Sequence, residues 1–254
     1  MLFPVTSGSP PSPLASALQA LYDKLATACL GGVKELSFSG IRLRKSNEWL
    51  SPSRLARALL LCHSLEKLDL SLCGLTDDGL EQVIGSLDKG ALPSLKSLVL
   101  DFNRFGADGI RFLGAKLANG VAPNLEDLGL GALGCGDQGA QELAVSLSEG
   151  AAKQLASINF SFNGMSDTGA LALAAQFVQT HPKVLMNFPL NRVGMRGRSA
   201  MVALFESQHG PSYVHLVIGG FNAGIFPPGV GWALGIGLRA CGEVNAGDDS
   251  SESN

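Results

Sequence analysis

The chain has 254 residues, 46% of them hydrophobic, with 19 Lys+Arg against 22 Asp+Glu. That is enough apolar material for one sizeable core, and it is not the composition of a disordered chain. A net charge of −3 supplies no basic field, which argues against nucleic acid as a partner.

Residues 1–12 (MLFPVTSGSPPS) are rich in Pro and Ser. They lack the basic start and long apolar run of a secretory signal, so they read as a loose leader. Residues 13–32 are expected to hold a capping helix: Leu14, Leu18, Leu21 and Leu25 fall on one face with Tyr22, and Gly31-Gly32 stops it. Its expected task is to cover the first strand of the domain behind it.

Residues 33–208 repeat. Leu65, Leu95, Leu125 and Leu155 lie 30 residues apart, and so do Gly79, Gly109, Gly139 and Gly169. The text recurs as LEKLDLSLCGLTDDG, LKSLVLDFNRFGADG, LEDLGLGALGCGDQG and LASINFSFNGMSDTG. Counting each first leucine as position 0, apolar residues sit at 0, +3 and +5, the spacing of a short strand with one buried face. Position +8 is Cys73, Asn103, Leu133 and Asn163. An Asn there can turn inward and bond backbone groups that the bend leaves unpaired, and Cys fits the same slot. Position +10 is apolar: Leu75, Phe105, Cys135, Met165. Asp77 and Asp78, Asp108, Asp137 and Asp167 precede the glycines, where an acid suits a helix start. A helical stripe follows at +15, +18 and +22, as in Ile110, Leu113 and Leu117.

Two weaker copies flank these four. One begins near Val33, with Leu36, Phe38, Ile41 and Leu43 at +3, +5, +8 and +10, and Ser51-Pro52 opening its helix. The other begins at Lys183 with Met186, Phe188, Asn191 and Val193; its Pro189 suggests a strand that pairs imperfectly on one side. Residues 209–254 read as an atypical Gly-rich, apolar cap or extension ending in a short acidic, disordered tail, GDDSSESN. Val214 and Leu216 could be +3 and +5 of a vestigial seventh strand. No charged residue occurs from Gly210 to Leu238, a length that could span a bilayer, but Pro227-Pro228 and several glycines interrupt it.

No motif for chemistry stands out. Gly129, Gly131 and Gly134 form a GxGxxG, yet the repeat register already accounts for the segment and no second βαβ unit follows. His63, His181, His209 and His215 are not spaced with other ligands, so no metal site is expected. The five cysteines are odd in number and form no CxxC pair, and they read as reduced thiols of a cytoplasmic protein. The sequon at Asn159 falls on an expected strand and reads as coincidence.

The LxxLxLxx(N/C)xL pattern, followed by a glycine-opened helix, resembles the leucine-rich repeat family and its ribonuclease-inhibitor-like class. The resemblance implies an α/β solenoid of about six repeats, with parallel strands on the concave side and helices on the convex side. It implies no cofactor and no catalysis, and a partner protein bound on the concave face. In stacked strands the residues between the buried leucines face that side. The candidate contacts are Lys67, Asp69, Ser71, Ser97, Val99, Asp101, Asp127, Ser157, Asn159 and Asn187. Asp69, Asp101 and Asp127 tint the row negative, which fits a partner with a basic patch. Some proteins of this class activate the small GTPase Ran from the rim of the solenoid. Arg104 and Arg192 follow the +8 Asn, and Arg42 and Arg44 lie in the equivalent bend, so a rim arginine acting in trans is the second reading. A membrane-tethered binding module is the third.

Overall fold

Strands and helices alternate along residues 30–43, 51–180, 184–209 and 216–217, the parts of the chain that the computed structural model describes. The strands are β1 (Glu35–Ser37), β2 (Lys67–Asp69), β3 (Ser97–Val99), β4 (Asp127–Gly129), β5 (Ser157–Asn159), β6 (Leu185–Asn187) and β7 (Leu216–Val217). The helices are α1 (Pro52–Leu59), α2 (Asp77–Ile84), α3 (Ala107–Ala118), α4 (Gly136–Ser148), α5 (Asp167–Thr180) and α6 (Met195–His209). All strands run parallel in chain order. The +3 residues form one column, Leu36, Leu68, Leu98, Leu128, Ile158, Met186 and Leu216. The chain is therefore the expected α/β solenoid. A helix is ~10 Å wide and a strand needs only ~4.8 Å, so one helix per strand fans outward and leaves the sheet on the inside.

The core is the sum of the repeat columns. Leu65, Leu95, Leu125 and Leu155 are buried, as are the +5 residues Leu70, Leu100, Leu130, Phe160 and Phe188. The helical stripe packs onto them, and Phe160 meets Phe188 edge to face at 6.4 Å. Ser51 caps α1 by accepting from the Arg54 N–H, with Pro52 as the first helical residue.

The copies are stitched together by side chains at two positions. At +8, Asn103 accepts from the Leu75 N–H at 3.0 Å and donates to the Leu70 carbonyl at 2.9 Å, both in the preceding copy. Asn163 does the same for Leu133 and Leu130, and Asn191 for Met165 and Phe160. The Cys73 thiol donates to the Phe38 carbonyl at 3.2 Å, so it performs half of the same task. At +12, Asp77 accepts from the Gly106 and Gly109 N–H groups of the next copy, at 2.9 and 2.7 Å. Asp137 reaches Ser166 and Gly169 likewise, and Asp167 reaches Gly194 and Gly197. These acids serve a helix start, as expected, but that of the following repeat.

The joint between β3 and β4 lacks both devices. Leu133 stands at +8 and Ala107 at +12, and neither can make these bonds. There the helices approach closely instead: a Cβ on Gly114 of α3 would overlap the Ser146 side chain of α4.

Four expectations need correction. Asp108 lies in the first turn of α3, as expected, but accepts from no helix N–H; it sits at +13 and pairs on the surface with Arg111 at 2.7 Å. Ile41 is 47% exposed, so +8 of the irregular first copy stays outside the core, whereas Leu43 at +10 is buried. Pro189 does not weaken pairing: β6 pairs on both sides, and the Pro189 carbonyl accepts from the Phe162 N–H. Position +6 tolerates proline because its N–H is not part of the ladder: at Ser71, Gly131 and Ser161 it bonds a side chain instead. Leu216 pairs with Met186 and is therefore +3 of the seventh strand, not +5. Most of the expected capping helix, the leader and nearly all of 209–254 lie outside the described residues; Leu30 ends a helical turn and Gly31-Gly32 form a turn.

Asn103→Ala should destabilise the chain by ~1–3 kcal/mol, since it strands backbone groups in two copies; urea denaturation checks this, and a surface-like change would contradict it. Gly114→Ala should also destabilise by ~1–3 kcal/mol despite better helix propensity. Adding Ser146→Gly should recover part of that loss in the same assay.

Candidate protein-binding surface

The open face of the sheet carries positions +2, +4 and +6. Lys67 and Asp127 at +2 are exposed, and Ser97 and Ser157 are half-buried beside them. Asp69, Val99, Asn159 and Asn187 at +4 are half-buried. The register brings these residues into one continuous field, as the pairing of Lys67 with Ser97, Ser97 with Asp127 and Asp127 with Ser157 shows.

Much of this polarity is directed at the protein's own backbone. Asp69 accepts from the N–H and hydroxyl of Ser71 at 2.9 and 2.7 Å. Asn159 accepts from the N–H and hydroxyl of Ser161 at 3.1 and 2.7 Å. The +4 side chain thus satisfies the +6 amide that the end of the strand leaves unpaired. In β4 the +4 residue is Gly129, which has no such side chain. Asp101 of the preceding copy takes over, accepting from the Gly131 N–H and from the Asn159 amide nitrogen. A Cβ on Gly129 would meet Asp101 Oδ2 at 2.8 Å, and one on Gly131 would meet Asn159 Nδ2 at 2.8 Å. The first two glycines of the GxGxxG make room for a carboxylate of the same chain.

The two acids are tuned in opposite directions. Burial pushes Asp101 above the ordinary carboxylate range, and the Asp69 charge adds to this against the Gly131 N–H and the Asn159 amide. Partial burial also raises Asp69, but the Ser71 hydroxyl and N–H, the Ser37 hydroxyl and the Lys67 charge outweigh it, and Asp69 ends below the usual range. The buried thiols of Cys73 and Cys135 are pushed up to about 11 and about 12, chiefly by burial, which leaves them protonated and unreactive. Among the described residues no group of His, Cys, Asp or Glu could hold a metal ion.

The rim arginines Arg42, Arg104 and Arg192 are all exposed; Arg44 lies outside the described residues. Arg42 and Arg104 line a shared cleft. Sequence reasoning passed over the column just before the +8 residues. Position +7 is Leu72, Phe102, Ala132, Phe162 and Leu190, and the four large members are exposed. Reading that column down the repeats, rather than along each copy, would have found it.

A family model described as Leucine Rich repeat matches residues 61–83, 91–114 and 155–174. These segments contain β2, β3 and β5, so three of the copies match the repeat as such. No curated protein matches the chain.

The raised Asp101 has a pH signature. The folded state holds its proton more tightly than the unfolded chain does, so this contribution is full below the ordinary carboxylate range and is lost as pH rises through the raised value. Asp101→Asn can keep the acceptor oxygen without the buried charge. Its melting temperature relative to wild type should therefore be higher at neutral pH than near pH ~4. An equal loss at both values would contradict this role of Asp101.

Proposed function

We propose that this chain is a non-catalytic protein-recognition module of the ribonuclease-inhibitor-like repeat class, and that its partner protein seats on the open face of the sheet. The observation that carries this reading is the face itself. Strands β2 to β6 present accessible side chains in one register, while every described helix packs on the other side. Five strands give a wall ~20 Å across, broad enough for a structured partner. Lys67, Ser97, Val99, Asp127, Ser157 and Asn187 are the proposed contacts. Asp69, Ser71, Asp101 and Asn159 contribute to the same face while holding its shape. The three acids against one lysine favour a partner with a basic patch. The buried free thiols of Cys62, Cys73 and Cys135 are compatible with the cytoplasmic location we propose.

No contact of the rim arginines favours GTPase activation over recognition. For the membrane-tethered reading, no helix among the described residues is long and apolar enough to cross a membrane.

The test is affinity capture with the tagged full chain. Lys67→Glu combined with Asp127→Lys should reduce recovery of a stoichiometric partner by roughly tenfold or more. Lys89→Glu, in the turn between α2 and β3, should not. Equal recovery by wild type and the double variant would remove the open face as the binding surface.

A further inference from the structure

A second surface lies where the strands end. Leu72, Phe102, Ala132, Phe162 and Leu190 all adopt left-handed backbone, with φ of 57°, 58°, 55°, 57° and 60°. Leucine and phenylalanine are disfavoured there, whereas Gly and Asn enter the region readily. Their side chains stand outside the core cluster: Leu72 and Phe162 are 53% exposed, Phe102 is 56% and Leu190 is 38%. Leu72, Phe102 and Phe162 thus combine an unfavourable backbone with a large apolar side chain more than half in water. Asn would relieve both, so the residue choice asks for a reason outside the fold.

The row is flanked by charge of opposite sign on its two sides. Toward the inner face stand Asp69 and Asp101, turned to their own hydrogen-bond partners. Toward the helices stand Arg42, Arg104 and Arg192, none of which forms an ion pair with a described residue. Arg42 and Arg104 open onto a cleft of about 200 Å³, lined also by Leu72, Phe102, Cys73 and Leu43, with no acid among its described lining residues. Farther along, Ala132 leaves a gap between Phe102 and Phe162. Those two rings sit two strands apart, ~10 Å, which is the reach of three residues of extended chain.

We propose that this rim docks a segment of a partner protein that carries carboxylates beside large apolar side chains. A carboxylate lies between Arg42 and Arg104, whose guanidinium groups present paired donors to it. Apolar side chains lie against Leu72 and Phe102 and enter the gap over Ala132. An anionic lipid surface fits less well, because Asp69 and Asp101 border the same row. This site is separate from the open-face contacts and does not depend on them.

The probe is a short fluorescein-labelled peptide of Leu, Phe and Glu, compared with the same peptide carrying Gln for Glu, by fluorescence anisotropy on the full chain. The Glu peptide should bind, and the Gln peptide should bind roughly tenfold more weakly or worse. Arg42→Glu with Arg104→Glu should cause a similar loss. Phe102→Asn and Phe162→Asn should also weaken binding while raising the melting temperature, a combination that a structural role for the rings would not give. Lys67→Glu with Asp127→Lys should leave peptide binding unchanged, so this site and the open face can fail separately. Equal binding of the two peptides, or a lowered melting temperature in the Asn variants, would overturn the proposal. So would anionic phospholipid vesicles that bind the chain and lose it in the same variants. Tighter peptide binding after Asp248→Asn, Asp249→Asn and Glu252→Gln would instead make the chain's own tail the occupant and overturn a partner segment.

Discussion

After each of β1 to β6 the chain turns out of the sheet, and the left-handed residue at +7 makes that turn. One consequence points inward. The +8 side chain is carried into the layer between copies, where the bend has left amides and carbonyls without ladder partners. An Asn there can donate and accept together, and Asn103, Asn163 and Asn191 each do so toward the copy before them. The other consequence points outward, since the +7 side chain itself is turned to solvent. The same backbone feature therefore builds the stack and displays the apolar row.

Because each +8 amide also serves backbone groups of the copy before it, those copies are not complete alone. The carboxylates at +12 extend this rule to the helix layer, with Asp77, Asp137 and Asp167 each serving the following helix. Where both devices are missing, between β3 and β4, other residues compensate. Gly114 brings α3 onto Ser146 of α4, and Asp101 crosses the open face to the Gly131 amide. The open face is consequently structural as well as available for recognition. Its polar residues fix the ends of the strands first, and the +2 residues Glu35, Lys67, Asp127 and Leu185 project beyond them.

The repeat columns were legible because each is a periodic burial requirement, which the leucines of the four regular copies obey. The inward amide was legible too, since Asn at a bend between two apolar columns has few other uses. Three things were hidden. The partner of each +12 acid lies in the next copy, and a single copy read by itself suggests its own helix; Asp108, one residue later, shows how easily the column is misread. Asp69 and Asp101 look free in a sequence because their partners include backbone amides, which carry no letter. The +7 row looked like loop residues until its backbone angles set Leu72, Phe102, Phe162 and Leu190 apart from the glycines that such a turn prefers. The contribution of Leu216 to the sheet was visible, but a strand of two residues carries too little pattern to fix its register.

The central claim is that each copy's turn is held by the copy after it. Native-state hydrogen exchange on Asn103→Ala tests this directly, because the Leu75 N–H, bonded to the Asn103 oxygen, belongs to the preceding copy. Leu75 should lose protection in the variant while amides beyond β4 keep theirs. Loss of protection confined to residues 95–118, with Leu75 exchanging as in wild type, would contradict the claim.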